Sequence, residues 1–393
     1  MPGLLTPRFV STWFASLFQG MSFFLFVHFP GFLRDDLGAS EQQIGVIFAV
    51  TALSAIAVRP WMGRSIDRLG RRPLFMAGNV LNVVVVAAYL TVGAIDPWLF
   101  TVRIGHGIAI GLVFSAMLAY AADLVPPERR TQGLSLFGVA GLLPIAIGGF
   151  LGDLVIGRWG FDGLFITALA LAVVGLLLTL PLDEVAPRLE PGTAVSFTRP
   201  LAQRDLLPMW WISFVFAMTL TAYFTFIRTF VDTTGVGSVG AFFGTYAATA
   251  ILLRLLFGWV PDRVGPKRVL YPAFGIFGCG LVVLATAGDT TGIMIAGVLC
   301  GAGHGSLFPI LFSVTFGRAA PRDRGSASAI FTGVFDLGTL VGGPLLGSLI
   351  VLVGYQSMYL ITAGWLVVGT LVFAVWDGDL TRRRRRTPDP VGA

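Results

Sequence analysis

The chain has 393 residues, of which 55% are apolar and only 12% charged, with a mean hydropathy of +0.82. So little charge excludes an ordinary soluble domain of this length, and the lack of alternating apolar and polar residues argues against a β-barrel. The net charge of +6 is a matter of topology rather than of nucleic acid: Arg34, Arg103, Arg158 and Arg228 fall at or near one side, and the remaining 23 of the 27 basic residues fall on the other, which the positive-inside bias makes cytoplasmic together with both termini.

Charged, Gly and Pro punctuation divides the chain into twelve stretches, each long enough to cross about 30 Å of hydrocarbon as a helix. They run over approximately 9–33, 42–62, 73–94, 97–122, 132–156, 161–181, 206–231, 238–260, 269–287, 291–316, 325–353 and 356–376. The expected fold class is an all-α polytopic membrane protein with twelve transmembrane helices in two pseudo-symmetric six-helix bundles. The bundles are expected over 1–182 and 206–381, with a cytoplasmic linker over 183–205 and a basic cytoplasmic tail over 382–393. The first stretch is too long for a signal segment and lacks a small-residue cleavage site, so it is expected to stay as the first helix.

The first helix carries Gln19 and His28 and leaves through Arg34-Asp35-Asp36. Helix two ends in the basic run Gly63 to Pro73. Asn79 and Asn82 in helix three suit interhelical hydrogen bonds, with a ligand role as the alternative. Arg103, about two turns into helix four, is costly in lipid and is expected to face protein or a wet cavity, with a carboxylate partner as one possibility. Asp153 is expected near the outer end of helix five, at the interface. The linker, with Asp183-Glu184, Pro187, Pro191-Gly192 and Pro200, has no apolar periodicity and reads as solvated. Tyr223, Tyr246 and His304 are polar or aromatic points in the second half. Asp336 lies about three turns into helix eleven, where a carboxyl can trade a proton as access alternates or can be permanently paired between helices. Cys279 and Cys300 sit inside apolar stretches and read as free packing thiols. The five arginines 382–386 read as a positive-inside anchor, with anionic lipid headgroups as the alternative.

The chain also repeats itself. A step of 195 positions carries Arg59, Gly63, Asp67, Arg68 and Gly70 onto Arg254, Gly258, Asp262, Arg263 and Gly265. A step of 198 carries Gly105-His106-Gly107 onto Gly303-His304-Gly305, and a step of 194 carries Gly148-Gly149 onto Gly342-Gly343. A period of half the length implies a duplicated unit, which suits two bundles rocking about a site near the bilayer midplane.

With these motifs the chain resembles the major facilitator superfamily over nearly its whole length. The signature G-x-x-x-D-R-x-G-R-R is complete at Gly63, Asp67, Arg68, Gly70, Arg71 and Arg72, and degenerate at Gly258, Asp262 and Arg263. Arg103-Ile104-Gly105-His106-Gly107 is similar to the family's R-x-x-Q-G, with His106 in place of glutamine. The antiporter motif is partial at Gly138, Gly141, Pro144, Gly148 and Gly149, and a fuller version runs from Gly338 to Gly347 in helix eleven. The resemblance implies that the repeated loops gate the cytoplasmic side. Gly63 and Gly258 are expected to let helix two approach eleven, and eight approach five, at that side.

These readings give a secondary active transporter, expected to export a small, fairly apolar organic compound against protons. The alternative is a proton-coupled importer or uniporter of a small metabolite, possibly anionic, with Arg103 and Arg228 suited to the charge. Asp336, Arg103, His106 and His28 are the proton-coupling candidates, and Gln19, Tyr223, Tyr246 and His304 the cavity candidates. No catalytic residue, metal or cofactor is expected, and the expected partners are a small-molecule substrate, protons and the lipid bilayer, with a monomer as the assembly. Gly235 to Gly240 spells G-x-G-x-x-G without the preceding strand that a dinucleotide site requires. A receptor or assembly factor on the same architecture would require a long soluble segment, which the linker and tail do not supply.

Overall fold

The computed structural model describes residues 6–124, 130–184, 198–320 and 323–377. Within them, the side chains of 63–69, 115, 118–119, 121–123, 130–136, 262 and 324–325 lie outside the description. Asp67, Arg68 and Asp262 of the gating motifs therefore fall outside it, as does the tail.

The first crossing is α1 (Pro7–Phe24), a 3₁₀ turn (Leu25–His28) and α2 (Phe29–Asp35). Then follow α3 (Glu41–Leu69), α4 (Arg71–Tyr89), α5 (Pro97–Leu124), α6 (Arg130–Thr179) and the short α7 (Arg199–Ala202). The second half comprises α8 (Leu207–Thr234), α9 (Val239–Phe257), the short α10 (Val260–Val264), α11 (Pro266–Thr286), α12 (Thr290–Arg318) and α13 (Arg324–Trp376).

Ten described spans are long and apolar enough to cross a membrane, and two of these, with 43 and 51 residues, are too long for one crossing. At 1.5 Å per residue they would reach roughly 65 and 75 Å, about twice a hydrocarbon core. Each breaks at a glycine with positive φ, Gly160 at 64° in α6 and Gly354 at 79° in α13, a conformation that a Cβ would strain. The described chain thus makes the twelve crossings expected, and the two breaks are themselves 194 positions apart.

Helix starts follow local chemistry. Ser40 and Gln43 form a reciprocal capping box at α3, and Ser238 and Asp289 cap α9 and α12. The hydroxyls of α8 return to carbonyls one turn back, Thr219 to Val215 and Thr233 to Thr229, so they need no water.

The start of the linker is exposed and also tied to the first half. Glu184 accepts the backbone N–H groups of Arg71 and Arg72 at 2.9 and 3.1 Å, placing an anion on the N-terminus of α4. Arg8 pairs with Asp183, and the Tyr120 hydroxyl donates to the Asp183 carbonyl at 2.7 Å. The far end of the linker docks as well, with Pro200 buried and its carbonyl accepting from Trp210 Nε1 at 3.2 Å.

The halves meet along α3 with α13 and α6 with α9, and their closest approach among the described residues lies on the side away from the termini. A Cβ on Gly343 would stand 2.6 Å from the Gly45 carbonyl oxygen, so the two backbones touch. Beside Gly258, at the terminal side, the nearest atoms to a Cβ belong to Arg254 one turn back, and no described atom of α6 lies within 4 Å of it. Gly63 lies outside the described side chains.

On the terminal side, the described ion pairs beyond the helix ends join elements of the same half. Arg318 grips Asp377 with two nitrogens at 2.7 and 2.8 Å, and Lys267 Nζ lies 2.6 Å away, so α11, α12 and α13 are tied at one carboxylate. Burial pushes the Asp377 carboxyl up, but the hydrogen bonds from Arg318 and Lys267 outweigh this and hold it below its ordinary value of 3.8. A group depressed in the fold contributes fully above its unfolded value, and the contribution is lost as pH falls through the folded one. Asp377→Asn is therefore expected to lower the melting temperature by roughly 2–4 °C at pH 7. The gap to wild type should begin to narrow as pH falls below the unfolded value of 3.8; a gap that stays constant as pH is lowered further would show that the carboxylate's charge is not what matters.

Candidate translocation site

Near the middle of the α3–α13 seam, Arg59 meets Asp336 across the two halves. Nε donates to Asp336 Oδ2 at 2.7 Å, the terminal nitrogen NH2 lies 2.6 Å from the same oxygen, and NH1 donates to Thr332 Oγ1 at 3.0 Å. The two side chains are 11% and 19% exposed, so water and protons retain access to the pair. A proton added to Asp336 removes the charge that the guanidinium binds and so loosens a tie between halves.

Toward the side away from the termini lies an aromatic layer. Phe24 of the first half sits edge-on to Phe224 and Phe243 of the second, with ring centroids 5.8 and 5.6 Å apart. Behind it, the Tyr223 hydroxyl donates to that of Tyr246 at 3.2 Å, and Tyr246 in turn bonds His304 Nδ1.

Beyond the aromatics is an interlock of charges. Arg34 of α2 reaches Asp232 at 3.2 Å, the Thr229 carbonyl at 2.8 Å and the Thr233 hydroxyl at 2.9 Å, all on α8. Arg228 of α8 lies 2.7 Å from Asp232 and 3.5 Å from Asp153 of α6. Asp153 also accepts the Gly240 N–H at 2.7 Å. Glu41 of α3 accepts the hydroxyls of Tyr355 at 2.5 Å and Thr229 at 3.0 Å. Each half offers both signs of charge, so the contacts alternate across the seam.

The sequence candidates divide into those near the seam and those within a bundle. Asp336 lies at it, the tyrosine pair lies one ring behind it through Phe224 and Phe243, and His304 packs within the second half. Gln19 is buried inside the first half, donating to the Ala172 carbonyl at 3.0 Å and accepting from Asn82 at 2.9 Å, so it braces α1, α4 and α6 rather than facing the other half. Asn79 and Asn82 make interhelical bonds, as one reading had it. His28 is fully buried, 3.2 Å from the Gly149 carbonyl and 3.7 Å from Asp153, behind the interlock. Arg103 has no described carboxylate partner: it is 2% exposed, bonds Tyr89 and the Ile47 carbonyl at 3.2 and 3.4 Å, and lies over the rings of Phe29 and Phe48. His106 packs against the same tyrosine, with Nδ1 3.0 Å from its hydroxyl. Arg228, suggested as an anion site, is engaged by two aspartates.

Sequence reasoning did not select Arg34, Glu41, Arg59, Asp232 or Tyr355. Arg59 could have been found, because it belongs to the repeated motif and stands at similar depth to Asp336. The members of the interlock carry no motif, and loop charges are ordinary on any membrane protein.

The family comparison now bears on a described geometry. The family model of the Major Facilitator Superfamily matches residues 12–243 and again 209–392. The chain belongs to the major facilitator superfamily. It is thus a membrane transporter and not an enzyme. Among its relatives, the staphylopine export protein of Staphylococcus aureus (strain Mu50 / ATCC 700699) is 24% identical over 358 residues, covering 86% of this chain and 88% of that one. The uncharacterized MFS-type transporter YhhS of Escherichia coli (strain K12) is 26% identical over 373 residues, covering 92% and 88%. Among solved structures, the nucleoside transporter NupG (D323A mutant) superposes with a TM-score of 0.78 at 15% identity, covering 94% of this chain and 99% of that one. The human organic anion transporter MFSD10 gives 0.73 at 17%, covering 94% and 100%. At such identity these two share the fold.

The interlock predicts a shift in state. In a Cys279→Ser background, a cysteine replacing Phe24 should react with a membrane-impermeant maleimide added on the side away from the termini. Arg228→Ala should raise that rate roughly tenfold, equivalent to about 1.4 kcal/mol of lost closure. An unchanged rate would mean that the aromatic layer and the glycine contact alone keep this side shut.

Proposed function

We propose that this transporter works by alternating access and exports a small, fairly apolar organic compound in exchange for protons. It would sit as a monomer in a bacterial inner membrane with both termini cytoplasmic, 1–182 and 206–381 being the moving units. The observation that carries the reading is the Arg59–Asp336 pair, a proton-accepting group tying the two halves together at the seam between them.

In this orientation the interlock closes the outer side, which supports reading this state as the one open to the cytoplasm. Asp336 is then ionised and paired while cytoplasmic substrate enters. After the halves rock, a proton from outside neutralises Asp336, frees Arg59 and lets substrate leave; loss of that proton to the cytoplasm restores the pair. The gating motif at Gly63, Asp67, Arg68, Gly70, Arg71 and Arg72, with its copy at Gly258, Asp262 and Arg263, would close the cytoplasmic side in the alternate state. Export is supported by the name of the staphylopine export protein among the relatives. Uptake of an anion through Arg103 and Arg228 is disfavoured, because both guanidinium groups are spent on protein partners.

The test is transport in liposomes with lumenal pH recorded, using staphylopine, apolar cations and aromatic acids as substrates. Wild type should couple substrate movement to an opposing proton flux. Asp336→Asn should lose proton-driven accumulation yet keep substrate-for-substrate counterflow, which needs rocking but no proton. Proton-driven accumulation that survives in Asp336→Asn would remove that carboxyl from the mechanism, and substrate moving with protons would make the protein an importer.

A further inference from the structure

Arg254 is the repeat counterpart of Arg59, but the partners of Arg59 have no counterparts. Stepping back 194 positions, the step that also relates the breaks at Gly354 and Gly160, carries Asp336 onto Leu142 and Thr332 onto Gly138, both in α6. Where Arg59 finds a carboxylate and a hydroxyl across the seam, Arg254 of α9 would find an isobutyl group and a hydrogen. The room is vacant too: a Cβ built on Gly138, or on Gly141 one turn along, would meet nothing within 4 Å.

Arg254 makes one described hydrogen bond, from Nε to the Gly305 carbonyl of α12 at 3.3 Å. Its two terminal nitrogens, which carry most of the N–H donors of a guanidinium, have no described acceptor. It lies 15 residues beyond Val239 in a membrane-spanning helix, where a cation persists only if negative charge or water reaches it. Arg103 illustrates the alternative for an interior cation, being sealed by a tyrosine hydroxyl, a carbonyl and two aromatic faces. Arg254 has no described ring over it and remains partly exposed. The carbonyl it holds follows His304, whose ring packs against Tyr246, Phe216 and Phe308, so an apolar aromatic wall stands beside a guanidinium short of acceptors.

We infer that Arg254 anchors an anionic group of the transported molecule, a carboxylate held by the two terminal nitrogens, while its apolar body lies along the wall around His304. This rests on the transporter reading above and narrows its substrate from an apolar compound to an apolar acid. The broken symmetry has a chemical sense: the Arg59 half carries its own carboxylate for the proton, and the Arg254 half takes one from the cargo.

Binding to the purified full chain in lipid nanodiscs tests this without transport or proton movement, so its failure leaves proton antiport standing, and the converse holds. Three acid and amide pairs serve as probes: 2-naphthoate and 2-naphthamide, decanoate and decanamide, indole-3-acetate and its amide. Wild type should bind at least one acid about tenfold more tightly than its amide. Arg254→Gln should abolish that preference and Arg254→Lys should retain part of it. Leu142→Asp, which supplies the missing counter-ion and leaves Arg254 in place, should abolish it as well, and it carries the test if Arg254→Gln does not fold. A wild-type protein that favours no acid over its amide overturns the assignment, and so does a preference that survives intact in Arg254→Gln or Leu142→Asp.

Discussion

A bilayer core offers no water, so each polar group placed there must be satisfied by the protein, by the substrate, or not be there at all. The described interior shows this rule shaping the chain. Threonine hydroxyls of α8 fold back on their own helix, Asn82 donates to Gln19, and Arg103 is wrapped in a tyrosine and two phenylalanines. Polar groups that find partners within one bundle hold it together as a rigid body. Those whose partners lie on the other bundle, such as Arg59 and Asp336, make bonds that must be exchanged whenever the bundles move.

Duplication then supplies two similar halves, and departures from symmetry make them inequivalent. His106 and His304 are repeat counterparts and each bonds a tyrosine, but Tyr89 and Tyr246 come from non-equivalent helices. Asp183 and Asp377, 194 positions apart, are each tied to their own half near the termini. Asp336 against Leu142, and Thr332 against Gly138, are the places where the two halves stop being equivalent.

Much of the fold was legible because helix number depends on local quantities: apolar length, and glycines able to take positive φ such as Gly160 and Gly354. The repeat also pointed to a two-body architecture. The site was less legible because it depends on which face of a helix turns toward its neighbour. Gln19 and His28 are polar residues in an apolar helix, as a cavity lining would be, yet both turn into their own bundle. The partner of Asp336 lay in plain view in the repeated motif, but 277 positions separate Arg59 from it, and no local pattern spans that distance. The interlock was hidden for a different reason: Arg34, Glu41 and Asp232 look like ordinary loop charges until the two halves are brought together.

The composition of the interlock also fits its task. A seal of packed apolar side chains would be stable but costly to open, since every exposed square ångström meets water at about 25 cal/mol. Ion pairs near a membrane surface are worth little net, on the order of 0–1 kcal/mol each, because water re-solvates both partners when they separate. A side closed by several such pairs, over one layer of aromatic rings and a backbone contact at Gly45 and Gly343, can register its closed state while keeping the gap to the open state within the few kcal/mol that bound cargo can offset. The tightest seam residues, the two glycines, contribute proximity rather than buried area, so they bring the charges into register without making the closed state a trap.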